Sequence, residues 1–121
     1  MYLQLIFLCL SFQVFSEATD QSMNELFKDY RSIMEERKVE KLEEVFSKKF
    51  IQENGGAKIF SEKIKKFPLK KDPRPIHLSW KAGHRNKNLY FAKLFKDSNS
   101  EFIIIEEDNK LKIDGTLSDS E

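Results

Sequence analysis

The side chains able to do chemistry in this 121-residue chain are few and scattered. Its two histidines, His77 and His84, fall in an extended stretch and in a turn, and no Asp or Glu stands near them at ligand spacing, so no metal site is expected. The only cysteine, Cys9, lies in an apolar N-terminal segment. There is no Gly-rich phosphate loop and no Ser-His-Asp arrangement. Tyr30 falls on an apolar helical stripe, where its ring joins the core and its hydroxyl reaches the rim. Glu53 borders Asn54-Gly55-Gly56, a turn that leaves a carboxylate solvated rather than held in an apolar pocket with a raised pKa. Trp80 faces the covered side of a strand and walls a pocket or is plain core. No catalytic residue and no cofactor is assigned; the pocket-lining candidates are Tyr30, Phe46 and Trp80.

The elements that must position these residues centre on Arg74 to Gly115, which reads as four strands joined by three turns at Gly83–Lys87, Asp97–Ser100 and Asp108-Asn109. In the first arm Ile76, Leu78, Trp80 and Ala82 alternate with His77, Ser79 and Lys81, the period of a strand with one buried face. The second arm divides into Leu89, Phe91 and Phe95 on one face and Tyr90, Ala92 and Leu94 on the other, and Phe102 to Ile105 is apolar on both. Tyr90, Ala92 and Leu94 are placed on the side away from the helices, as candidates for an interface.

Ahead of the meander, Met23, Leu26, Phe27, Tyr30, Ile33 and Met34 recur at helical spacing and predict a helix to about Lys38, capped by Asp20 or Ser22. Val39, Leu42, Val45 and Phe46 predict a shorter second helix. Phe50 to Glu53 reads as a brief extended segment. Ile59 or Phe60, Ile64 and Phe67 predict a third helix, closed by Pro68. The order of elements is that of an α+β domain with helices covering one face of a sheet.

Residues 1–18 stand apart. A short apolar core ends in Ser16-Glu17-Ala18, the small-residue pattern of a cleaved secretory signal, and its length falls short of the roughly 20 residues that a bilayer span needs. The chain is expected to be secreted and extracellular, without a cysteine after cleavage and without an Asn-x-Ser/Thr sequon. The division is a signal over residues 1–18, a domain over 19–116 and an acidic tail over 117–121. Charge is polarised: the third helix and its connector form a basic patch of Lys58, Lys63, Lys65, Lys66, Lys70, Lys71 and Arg74, while the C-terminal region is acidic.

VEKLEEVFSKKFI resembles the second-helix-to-first-strand segment of the NTF2-like family, which has a cone-shaped cystatin-like α+β fold. EEDNKLKIDG resembles its closing hairpin, with Leu111 where many relatives have tryptophan. With the leader and the Gly-Gly step into a lysine-rich helix, the chain is similar to small secreted nematode members of that family. The resemblance implies three N-terminal helices packed on a curved, mostly antiparallel sheet around a cavity, and a homodimer through the outer sheet face. It also implies where an isomerase-like member would carry its groups. The general base matches Glu53-Asn54, where asparagine cannot abstract a proton, and the oxyanion-binding tyrosine matches Tyr30. The expected function is a non-enzymatic domain that associates with a protein partner or a small apolar ligand. The alternatives are a cavity enzyme of the ketosteroid isomerase or polyketide cyclase kind, and a weak binder of anionic polymers through Lys58 to Lys87. No specific nucleic acid and no membrane span after signal cleavage are expected.

Overall fold

The computed structural model describes residues 18–83 and 88–118. Helix α1, Asp20–Glu36, starts at a reciprocal cap in which the Ser22 N–H donates to the Thr19 hydroxyl at 3.0 Å and the Thr19 N–H donates to the Ser22 hydroxyl at 2.8 Å. The cap is therefore Thr19, one residue before the expected Asp20. Met23, Leu26, Phe27 and Ile33 form the buried stripe. The helix ends where Arg37 adopts the left-handed region at φ 65°, so that the N–H groups of Arg37 and Lys38 turn back onto the carbonyls of Ile33 and Ser32.

The next stretch departs from expectation. A 3-10 turn at Val39–Lys41 leads into a single-turn helix α2, Leu42–Val45; Phe46 and Ser47 are then extended, and helix α3 occupies Lys48–Glu53. Phe50 to Glu53 is thus helical, and the extended residues lie just before it. The reason is local, because the Phe50 N–H donates to the Ser47 hydroxyl at 3.0 Å and Ser47 caps α3. Four residues of mixed polarity do not separate the two periods. Gly55 and Gly56, at φ 96° and 95°, turn the chain into α4, Ala57–Lys66, which buries Phe60 and Ile64. The helical layer among the described residues is therefore four helices, where three were expected.

Strands β1 (Ser79–Ala82), β2 (Leu89–Lys93), β3 (Ser100–Glu107) and β4 (Lys110–Ser118) pair antiparallel in chain order, so the domain is α+β with an open four-stranded sheet. β1 is shorter than expected, since pairing in the sheet begins at Ser79 and Ile76 stands 42% exposed. β4 is longer: Leu117 and Ser118 belong to the strand rather than to a tail. Asp108 and Asn109, at φ 55° and 62°, form the two-residue turn between β3 and β4. Residues 1–17 of the expected leader, His84 to Lys87 in the first expected turn and Asp119 to Glu121 lie outside the described residues.

Register decides which face is inside. Trp80 pairs with Ala92 and Ala92 with Phe102, while Ala82 pairs with Tyr90, Tyr90 with Ile104 and Ile104 with Ile113. Residues directly opposite share a face. Tyr90, Ala92 and Leu94 consequently turn toward the helices and are 4%, 0% and 6% exposed, which corrects their placement at an outer interface. Lys93, between Ala92 and Leu94, marks the wet face. The residues that do point outward are Leu89, Phe91, Ile103 and Ile105, each half-buried.

The backbone of the helical layer joins the sheet at Phe46-Ser47. Phe46 forms a parallel bridge to Ile113, and the Ser47 N–H donates to the Ile113 carbonyl at 3.0 Å. Beside it the β3–β4 ladder skips Asp114, and this bulge aims the Asp114 carboxylate at the Ser47 hydroxyl, which donates to it at 2.5 Å. Ser47 is wholly buried. Ser47→Ala removes a helix cap and leaves Asp114 without that donor, so a loss of about 2 kcal/mol is expected in urea unfolding, against less than about 0.5 kcal/mol for the exposed neighbour Lys48→Ala.

Candidate functional site

Between the C-terminal half of α1, the connector before β1 and the inner edge of the sheet runs a groove with two lobes. One lobe, about 270 Å³, is lined by Tyr30, Leu69, Asp72, Arg74, Phe95 and Phe102 among others; the second, about 380 Å³, includes Phe27, Lys71, Ile76, Leu78 and Leu94. Arg31, Glu35 and Leu94 belong to both. The spacing of Arg31 and Glu35 puts them on adjacent turns of one helix face. Their pairing is bidentate, with Arg31 Nε 3.0 Å and Nη2 3.2 Å from the two Glu35 oxygens. The connector is held by the Leu69 N–H, which donates to the Met34 carbonyl at 2.8 Å, and by the His77 N–H, which donates to the Leu94 carbonyl at 2.8 Å.

The wall of the first lobe is aromatic. Phe102 meets Phe27 at 5.0 Å and Tyr30 at 5.1 Å edge to face, and the Arg74 guanidinium lies 4.1 Å from the centre of the Phe95 ring. Arg74 is also clamped by Asp72, whose Oδ2 accepts from Nη2 at 2.7 Å. That hydrogen bonding, from both the Arg74 side chain and its N–H, pulls the Asp72 carboxyl down to about 2. Tyr30 moves the other way: burial, aided by the charge of Glu35, pushes its hydroxyl up to about 12. In neutral water the groove therefore holds a protonated phenol and carboxylates engaged by arginines. It can donate a hydrogen bond, present balanced charge pairs and enclose apolar surface.

The expected pocket residues come together only in part: Tyr30 and Phe46 meet edge to face at 6.1 Å, and Trp80 stands apart. Tyr30 lines the groove. Phe46, 2% exposed, is packed between Phe50 at 5.3 Å and Phe60 at 5.2 Å in solid core. Trp80 is at the far end of α1, where its indole N–H donates to Asp20 at 2.7 Å and its ring meets Tyr90 at 5.9 Å. Asp20 and Tyr30 are ten residues apart, roughly 15 Å along a helix. Glu53 is exposed at the end of α3 and lines neither lobe.

The basic patch is also divided. Lys70 and Arg74 line the first lobe and Lys71 the second, Lys63 reaches back to the Asn54 carbonyl at 3.4 Å, and Lys58 flanks a hollow beside Glu40 and Glu43. Lys65 and Lys66 point into solvent. Arg31 and Glu35 could have been found from the sequence by their i,i+4 spacing, the sign that two opposite charges on a helix form a unit.

Among the described residues, no group of three or more His, Cys, Asp or Glu is arranged to hold a metal ion, and no helix is long and apolar enough to cross a membrane. Fold and groove together define an open-sheet α+β domain with a half-open cleft of mixed apolar and charged lining. Compared with known proteins, the chain gives no match to a family model, a curated protein or a solved structure.

The Tyr30 shift has a sign that can be measured. Its folded value, about 12, stands above the unfolded value of 10.0, so the stability it contributes is complete below pH 10 and is lost as pH rises toward 12. Ultraviolet titration should show Tyr30 ionising only as the protein unfolds in that window, and Tyr30→Phe should move alkaline unfolding to higher pH. A Tyr30 that ionises near 10 in the folded protein would contradict its desolvation in the groove.

Proposed function

We propose that the chain is a secreted, non-enzymatic NTF2-like domain that acts by association, taking a small apolar ligand with a hydrogen-bond acceptor into the groove beside Tyr30. The observation that carries this reading is the pairing of an aromatic wall, Tyr30, Phe95 and Phe102, with a phenol that stays protonated and has no hydrogen bond to another described residue. A protonated phenol offers a donor to a carbonyl, carboxylate or ether oxygen and cannot serve as a base near neutrality. The carboxylates nearest to it are committed: Glu35 to Arg31, and Asp72 to Arg74. Asp72, held at about 2, is a weak proton acceptor, and this sets the isomerase-like alternative behind the binding reading. The α+β order and the two-residue closing turn support the NTF2-like resemblance.

Native mass spectrometry of the mature protein, incubated with a mixture of small apolar carboxylates and ketones, tests the groove. One class should be retained, Tyr30→Phe should weaken its binding roughly tenfold, and Ser100→Trp, which fills the mouth from β3, should abolish it. Retention unaffected by Ser100→Trp, or no retention at all, would remove the proposal.

A second reading concerns the outer sheet face. Leu89, Phe91, Ile103 and Ile105 form an apolar row there, with Leu117 47% exposed at its end. A second copy of the chain would cover it, as the resemblance implies. Phe91→Lys should convert a dimer to a folded monomer in sedimentation, whereas Leu94→Lys places a charge in the core and should unfold the protein. A wild-type protein that sediments as a monomer at micromolar concentration would exclude the dimer.

A further inference from the structure

The lysine-rich helix carries more than charge. Along α4, Ile59, Lys63 and Lys66 are spaced by four and three residues, which places them on one flank, and Phe67 follows at the C-terminal cap. Ile59 and Phe67 stand 50% and 71% exposed, and the Lys66 ammonium lies 5.4 Å from the centre of the Phe67 ring. The chain continues into Leu69, 46% exposed, and Lys70. From Lys58 to Lys71 the six lysines are opposed by Glu62 alone. Phe60 and Ile64 already supply the buried side of this helix, so Ile59 and Phe67 are not needed for the core.

Exposed apolar side chains amid lysines discriminate between partners. A dissolved anionic polymer is held by screened charge, and an exposed phenylalanine adds little to that attraction. A bilayer with anionic headgroups takes both kinds of side chain at once, lysines at the phosphates and apolar groups in the layer beneath. We infer that this flank docks on an anionic phospholipid surface, with Ile59, Phe67 and Leu69 entering the headgroup boundary and Lys63, Lys66 and Lys70 lying against the phosphates. Leu69 and Lys70 also line the first lobe of the groove, so docking brings that lobe's mouth to the lipid. The inference does not depend on what the groove holds.

Flotation of the mature chain with phosphatidylcholine vesicles, and with vesicles in which part is replaced by phosphatidylserine, tests it, with heparin-agarose retention measured in parallel. The protein should float with the anionic vesicles only and be released by high salt. Phe67→Ser, at an exposed position that leaves the fold intact by circular dichroism, should weaken flotation roughly tenfold and leave heparin retention unchanged. Lys66→Glu should weaken both, by more than the roughly fivefold expected for loss of one lysine charge. Absence of flotation with anionic vesicles overturns the inference. Equal flotation of Phe67→Ser and wild type also overturns it, and assigns the surface to anionic polymers.

Discussion

The buried hydroxyl of Ser47 is the polar joint on which the two layers depend. It caps α3 by accepting from the Phe50 N–H and donates to Asp114, while the adjoining peptide completes the edge of β4. Asp114 can serve because the ladder bulges there, and Lys49 stands 3.9 Å from its other oxygen. Such a polar group inside a core is tolerated only when its bonds are made. Around the joint, Phe46 is the apolar counterpart, reaching Tyr30, Phe50 and Phe60 at 5.2 to 6.1 Å. Aromatic contacts thus run from β3 through α1 to α4, and the face of α1 that lines the groove is set by that run.

The groove owes its character to balance. Each arginine that borders the cleft is matched by a carboxylate four or two residues away, so neither guanidinium is left without a counter-charge. Bidentate geometry holds the guanidinium planes, and Arg74 uses its free face against Phe95. A cleft built this way presents aromatic surface that stays rigid without being sealed.

What the chain's letters reveal follows the range of the forces involved. Helices α1 and α4 were legible because long apolar stripes have one dominant period, and the last hairpin because Asp-Asn suits a turn with positive φ at both positions. The extended pair Phe46-Ser47 was not: two residues carry no period, and their conformation follows from a partner strand far along the chain. The facing of β2 was available but misread. Trp80 inward requires Ala92 inward once the two are opposite, and Lys93 is the odd residue on the face read as buried. Of the site, Tyr30 was found from its stripe. Asp72 and Arg74 were not placed beside it, because a connector rich in proline has no periodicity by which to foresee where it folds back, and Phe95 lies past the end of β2, where the strand's alternation no longer fixes its facing.

The joint between Ser47 and Asp114 spans 67 residues of sequence. A chain made from its N-terminus completes α1 through α4 well before the strand that receives Phe46 and Ser47 exists. Until then the apolar stripes can pack only on one another, and the α3 cap lacks its carboxylate. The meander, by contrast, closes through short local turns as it emerges. Domain assembly therefore waits for the last strand, and a chain truncated before Asp114 would leave the helices with their aromatic faces uncovered, a form open to chaperones and proteases.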